Sequence, residues 1–316
     1  MSQILQPGNR AYGGSLRDLT QLNLVVLVWG ITSIIGKLIT IDVIAVTVWR
    51  TGMAAAGLAL ICIFSGISLR VSRRAAFAFL GTGIVIGWHW VTFFLSARLS
   101  TASVCLAAMP TIMLWSSLIE PLVNRTRKWS RVELVTGLVT IGAVWLIYRF
   151  EFKHWIGFTV GLASAVLATI FGVYNKQLTT RHPPALMCCY QMTGACLSCL
   201  ALLPFFGTHT LALPTGRDWL WLLVLSQVCT VGAYVGYLDV LRRVSVFTVN
   251  VVYNLEPVYG ILLAAIVFGD KERMSGGFYL GASIIVASVV ALPVMNHFTT
   301  KRNAMSEELP ATSGLP

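Results

Sequence analysis

The chain has 316 residues, of which 56% are hydrophobic and only 11% charged, with a mean hydropathy of +0.77. A soluble domain carries about 25% charged residues, so this composition excludes an ordinary soluble globule and points to a protein with several membrane spans. The net charge of +11 comes from basic residues scattered singly or in small groups between apolar runs, which is how loops orient a membrane protein and not how a nucleic-acid surface is built.

Residues 1–19 are polar, carry Arg10 and Arg17, and lack the apolar stretch and cleavage site of a signal peptide, so they read as a cytoplasmic amino-terminal segment. Apolar runs then recur, each of about 20 residues and so long enough to cross a bilayer. They predict ten helices at 20–39, 43–66, 75–97, 101–123, 131–149, 155–178, 184–206, 217–240, 245–268 and 275–295. Residues 296–316 read as a disordered cytoplasmic tail. The seven cysteines all fall inside apolar runs, and Cys196-x2-Cys199 has no His or second Cys pair to close a tetrahedral site. No metal, cofactor or disulfide is therefore expected.

With the amino terminus in the cytoplasm, fourteen loop Lys and Arg fall on that side, including Arg70, Arg73, Arg74, Arg242 and Arg243. Six fall outside: Arg98, Arg149, Lys153, Arg217, Lys271 and Arg273. This asymmetry predicts that both termini are cytoplasmic. An internal repeat divides the spans. A shift of 145 lays Leu99 through Arg131 on Val244 through Gly276, and shifts of 139 and 141 pair Lys37 with Lys176 and Trp49-Arg50 with Tyr190-Gln191. Each half, 20–149 and 150–295, has five predicted spans, an odd number, so the halves must insert in opposite orientations. The expected fold class is an all-α membrane protein with two inverted five-helix repeats.

This pattern resembles the drug/metabolite transporter superfamily, in particular its ten-helix permeases built from two EamA-type domains. The residues that carry the likeness are Val28-Trp29-Gly30 with Gly36-Lys37, and Lys176 in the matching span. To these are added Val244-Ser245 leading into Asn254-Leu255-Glu256-Pro257, and Gly137 and Gly281. The resemblance implies alternating access by rocking of two helical bundles, residence in a bacterial inner membrane, and a small polar cargo, often an exported amino acid or related metabolite.

The residues themselves locate a site. Glu256 lies near the centre of the ninth predicted span, where an ionised carboxylate costs at least a few kcal/mol unless something meets it. Helical spacing puts Val249, Tyr253, Glu256 and Gly260 on one stripe flanked by Asn250 and Asn254, and Pro257 frees a carbonyl near Tyr253. Arg50 is the expected partner of Glu256. His89 sits at similar depth on a stripe with Thr82, Thr92 and Ser96, flanked by Trp88 and Trp90, and the bland reading of such a histidine is a hydrogen-bonded packing residue. Trp29 and Ser33 line the first span, and Tyr190 and Gln191 occupy the repeat position of Trp49 and Arg50. Substrate-binding candidates are thus Trp29, Ser33, Arg50, His89, Trp90, Tyr190, Gln191, Tyr253, Asn254 and Glu256. Lys37 and Lys176 serve either electrostatics or snorkelling to the interface. Glu120-Pro121 is not the counterpart of Glu256-Pro257, because the repeat register pairs Glu120 with Ala265; it reads as an interfacial pair with Arg125. Asp239 with Arg242 and Arg243 reads as a local helix pairing.

The reading is a secondary transporter of a small polar metabolite such as an amino acid, with efflux as its direction. Its partners are the solute, the bilayer and, through Glu256, either a proton or a substrate ammonium; a monomer or weak dimer is expected. No catalytic residues are assigned. The alternatives are uptake or exchange of an anionic solute such as a sugar phosphate, drawn by Arg50, Lys37 and Lys176, and an intramembrane enzyme, for which His89 lacks a partner within its own segment.

Overall fold

A computed structural model describes residues 15–123, 131–178, 182–206, 211–241, 243, 252, 253 and 255–288. Among these, every regular element is helical. In chain order they are α1 (Leu16–Leu38), α2 (Val43–Phe64), α3 (Arg73–Leu99), α4 (Ala102–Ala108), α5 (Ile112–Val123), α6 (Arg131–Phe150), α7 (Trp155–Leu178) and α8 (Pro184–Leu202). Next, α9 (Gly216–Leu223) runs through a π-helical stretch (Val224–Gly232) into α10 (Ala233–Leu241), followed by α11 (Glu256–Phe268) and α12 (Gly276–Ser288). Among the described residues, seven stretches are long and apolar enough to cross a membrane: α1, α2, α3, Ala102–Val123, Phe152–Asn175, Pro184–Phe205 and Gly216–Tyr237. Helix is the required answer there, because lipid offers backbone groups no hydrogen bonds.

Polar residues at the ends of the apolar runs start these helices. Ser15 with Asp18 and Thr215 with Asp218 form capping boxes, and the Asp42 side chain accepts from the N–H groups of Ile44 and Ala45. Pro110 sits in a 3-10 turn that joins α4 to α5 without ending the span. Pro257 occupies the first turn of α11, where its missing N–H leaves no helical bond broken, and Leu255 is the N-cap. The ninth expected span is therefore helical from Glu256 onward, with Val252 and Tyr253 helical ahead of it. Val249, Asn250, Asn254 and the Val244-Ser245 pair lie outside the described residues, as do Arg10, Arg125, Arg242 and residues 296–316. Lys176 lies in α7, but its side chain is outside what is described.

The most extensive packing joins α8 to α2 and α3, α3 to α7, and α1 to α11. Two of these contacts need glycine. A Cβ on Gly83 would stand 2.2 Å from the Gln191 carbonyl oxygen, and one on Gly194 would stand 2.4 Å from that of Leu80. Gly260 brings α11 so close to α1 that its Cβ would lie 2.9 Å from the Gly30 carbonyl oxygen. These obstacles are backbone, which cannot rotate away. Gly83→Ala is expected to force α3 from α8 and lower stability by about 1–3 kcal/mol, read as a fall in melting temperature in detergent. An unchanged melting temperature would show that the two helices are not held this close.

Polar ties gather at the two ends of the bundle. Where α1 ends, Lys37 pairs with Glu272 at 2.9 Å, and Glu272 also accepts from the Ala102 and Ser103 N–H groups at 2.9 Å each and from Ser103 Oγ at 2.8 Å. Arg98 donates to the carbonyls of Gly36, Ile39 and Ile41, and Asp218 accepts from the N–H and hydroxyl of Thr40. Where α1 begins, Arg243 pairs with Asp18 and with Asp239, each at 2.7 Å, the latter at i and i+4 as expected.

Candidate functional site

Arg50 enters the bundle from the second turn of α2 and is only 3% exposed. Its guanidinium carbon lies 4.0 Å from the centre of the Trp90 ring and 5.6 Å from that of Phe94. Nε donates to Thr230 Oγ1 at 2.9 Å. Nη1 is buried with no hydrogen-bond partner, and no described carboxylate forms an ion pair with this guanidinium. The expected Arg50–Glu256 pair is therefore corrected. Stacking on Trp90 and the bond to Thr230 aim the planar group at α3 and the π-helical stretch, not at α11.

The π-helical stretch is a convergence point. Its wider turn lets Thr230 Oγ1 reach the Leu225 carbonyl five residues back at 2.9 Å, while its oxygen still accepts from Arg50. Trp29 Nε1 of α1 donates to the Cys229 carbonyl at 3.1 Å, and Gln227 Nε2 donates to the Met53 carbonyl at 2.9 Å. Thus Trp29 and Arg50, from different helices, both end on Cys229-Thr230.

Glu256 forms a second pole. It is 7% exposed at the start of α11, and its carboxylate is hydrogen-bonded by the Tyr253 side chain. No described cation pairs with it. The Trp29 ring lies 5.7 Å from Tyr253, edge to face, and 5.6 Å from Tyr237, so three aromatic rings and a carboxylate are held together. Such a group suits a cation, since the ring faces and the carboxylate both attract positive charge. Ser33 is fully buried and bonded to the Gly30 carbonyl of its own helix at 3.4 Å, beside the Gly30–Gly260 crossing.

Other sequence candidates sit elsewhere. His89 is clamped to α7: Nδ1 lies 2.9 Å from the Ser164 carbonyl oxygen and 2.8 Å from Ser164 Oγ, and Ser164 Oγ donates to the His89 carbonyl at 2.9 Å. A carbonyl only accepts, so Nδ1 carries the proton in the first of these bonds, and the pair is a two-way helix clamp rather than a serine with its base. Lys37 is spent on Glu272 and is not a free attractor of solute. Tyr190 points its hydroxyl to the Leu69 carbonyl, 2.8 Å away in the loop between α2 and α3, and so does not face Arg50. Gln191 does lie inside, bonded to Thr82 and Asn175. Asn254 is outside the described residues. Thr230, Tyr237 and Ser164 were not singled out by the sequence; an aromatic pair at Tyr234 and Tyr237, three apart in an apolar run, was the one available signal. A groove of about 740 Å³ between α1 and the π-helical stretch is lined by residues such as Leu16, Gln21, Val25 and Val228, and none of Trp29, Arg50, His89 or Glu256 is in its wall.

Membrane-length apolar helices around a buried arginine and a buried glutamate, neither in an ion pair with a described residue, are the pattern of an integral, multi-pass membrane protein. Residues 155–292 match the model of the EamA-like transporter family. Among solved structures, one titled only as the crystal structure of a protein aligns over 89% of this chain and 98% of its own, with a TM-score of 0.61 at 18% identity, a likeness of fold alone. Curated proteins give no match.

Proposed function

We propose that the protein is a secondary active exporter of a small zwitterionic metabolite such as an amino acid, working by alternating access around a midplane cavity. In this reading residues 20–149 and 150–295 are inverted five-helix repeats, with both termini cytoplasmic in a bacterial inner membrane. The observation that carries it is a pair of buried charges, Arg50 and Glu256, neither of which is in an ion pair with a described residue. A cation and an anion, each taken out of water at a cost of several kcal/mol, are held within one bundle without neutralising each other. A solute with both charges compensates both: its carboxylate meets Arg50 Nη1, and its ammonium meets Glu256 within the Trp29, Tyr237 and Tyr253 rings. Glu256 carries the coupling proton when no ammonium occupies that place. The sugar-phosphate reading is weaker, because Lys37, one of its three attracting cations, is already paired with Glu272.

The test is flux in proteoliposomes with a panel of amino acids, amines and sugar phosphates, with and without a pH gradient. Amino acids are expected to be carried, with flux driven by the gradient. Glu256→Gln is expected to lower amino-acid flux at least about tenfold, the scale of one lost charge-assisted hydrogen bond. A wild-type rate in a folded Glu256→Gln protein removes Glu256 from the site, and flux indifferent to the pH gradient removes the proton.

A further inference from the structure

We propose that the groove between α1 and the π-helical stretch with α10 is a lipid site, which holds one anionic phospholipid with its phosphate on Arg17 and an acyl chain along the groove. The groove encloses about 740 Å³, within the roughly 300–1,000 Å³ of ligand pockets. Space is left there because Gly232 and Gly236, both in its wall, bring no side chain to fill it. Its polar members, Arg17, Thr20 and Gln21, gather at the end where α1 starts, and from Leu24 inward the wall is apolar. Leu16, Leu24 and Val228 are exposed, so the groove opens outward to the surrounding lipid and not to the buried charges of the bundle.

Length and charge select the occupant. Val28 follows Arg17 by eleven residues, roughly 16 Å along a helix axis, which is the depth of one leaflet in a hydrocarbon core about 30 Å thick. A phospholipid with its headgroup level with Arg17 lays a chain along this whole length, whereas a solute that is polar throughout leaves the apolar wall unmet. The acids at this end, Asp18 and Asp239, are both held by Arg243, each at 2.7 Å. Arg17 is exposed, and no described residue forms an ion pair with it. Its guanidinium therefore has its fork of donors open to a phosphate, which that fork fits. Gln21 does not compete for the phosphate: its Nε2 donates to the Gly236 carbonyl and to Asp239, and its Oε1 accepts from Arg243. At the inner end, Val28 and Val228 immediately precede Trp29 and Cys229, so the tip of the chain reaches the neighbours of the Trp29–Cys229 hydrogen bond. The lipid site does not depend on which solute the protein carries.

The experiment is native mass spectrometry of the full chain in a mild detergent, titrated with dioleoyl phosphatidylglycerol or dioleoyl phosphatidylcholine, which share their chains and differ in net charge. Wild type is expected to hold one phosphatidylglycerol about fivefold more tightly than phosphatidylcholine, the effect of one arginine on an anionic headgroup. Arg17→Gln is expected to bring phosphatidylglycerol down to the phosphatidylcholine level and to leave the latter unchanged. Val228→Trp fills the inner end of the groove and is expected to weaken both lipids. Both positions are exposed, so both variants are expected to melt as wild type does, and Leu24→Trp takes the place of Val228→Trp if that protein melts lower. Equal affinity for the two lipids in wild type, discrimination retained in Arg17→Gln, or wild-type affinity in the Trp variant overturns the proposal. Inorganic phosphate in large excess is expected to leave the lipid bound; displacement would show a phosphate site that reads no chain, and would overturn it as well.

Discussion

Arg50→Met is expected to abolish transport while leaving the protein as stable as wild type or more so. The guanidinium is 3% exposed, has one neutral hydrogen bond to Thr230, and leaves Nη1 unmatched. Its stack on Trp90, at 4.0 Å, returns part of the desolvation cost, about 2 kcal/mol at best for a desolvated cation over a ring. Replacing a poorly compensated buried ion with an apolar side chain of similar length is often neutral or stabilising by about 1–4 kcal/mol. The functional loss runs the other way. Removing one partner of a buried charged contact costs about 2–5 kcal/mol, so flux of a carboxylate-bearing solute should fall at least about a hundredfold. Arg50→Lys should recover only part of it, because an ammonium keeps the charge but neither stacks flat nor offers a fork to a carboxylate. Flux and thermal melting of the three proteins decide the matter. Wild-type flux in Arg50→Met would take Arg50 out of the site, and a collapse of stability would show that its charge has a partner in the resting protein.

Glu272→Ala should do the opposite and strike stability first. Glu272 is fully buried and joins three separate pieces of chain: the end of α1 through Lys37, the start of α4 through Ala102 and Ser103, and the turn that follows α11. Loss of the carboxylate leaves two backbone N–H groups without their acceptor and Lys37 without its anion. Breaking a buried pair costs about 3–5 kcal/mol, and the 21% exposure of Lys37 argues for the lower end. Burial pushes the Glu272 carboxyl up, but the hydrogen bonds from Ser103, Lys37 and Ala102 outweigh it and hold it below its ordinary 4.5. The contribution of a carboxyl lowered on folding is complete above its unfolded value and is lost as pH falls through the folded one. Wild type should therefore lose melting temperature as the pH drops below about 4.5, and Glu272→Ala should start lower with a flatter profile over that range. Parallel profiles for the two proteins would remove Glu272 as the acid-sensitive tie.

The positions of the membrane-length helices were legible in the chain because lipid leaves the backbone one way to meet its own hydrogen bonds. Apolar length then locates a helix to within a few residues, as at 43–66 against Val43–Phe64 and 155–178 against Trp155–Leu178. Helix starts were legible where a polar side chain stands just before an apolar run, as at Ser15 and Thr215. Within the site, Arg50, Glu256, Trp29 and Gln191 could be chosen because a charged or polar group in an apolar run is costly wherever it points. Their partners could not. Arg50 and Glu256 look complementary as residue types, yet one turns to Thr230 and the other to Tyr253.

Sequence by itself determined that the protein is helical and membrane-embedded, and which of its residues carry a burial cost that function must explain. These are one-body properties, set by the transfer of a segment or a side chain out of water. Tertiary structure alone decided which groups meet: Lys37 with Glu272, His89 with Ser164, and Trp29 with Cys229 and Tyr253. The physical reason is that a helix apolar on every side carries little periodicity to reveal its rotation. The face it presents is set by close backbone approaches such as Gly83 on Gln191 and Gly260 on Gly30, between residues more than a hundred positions apart.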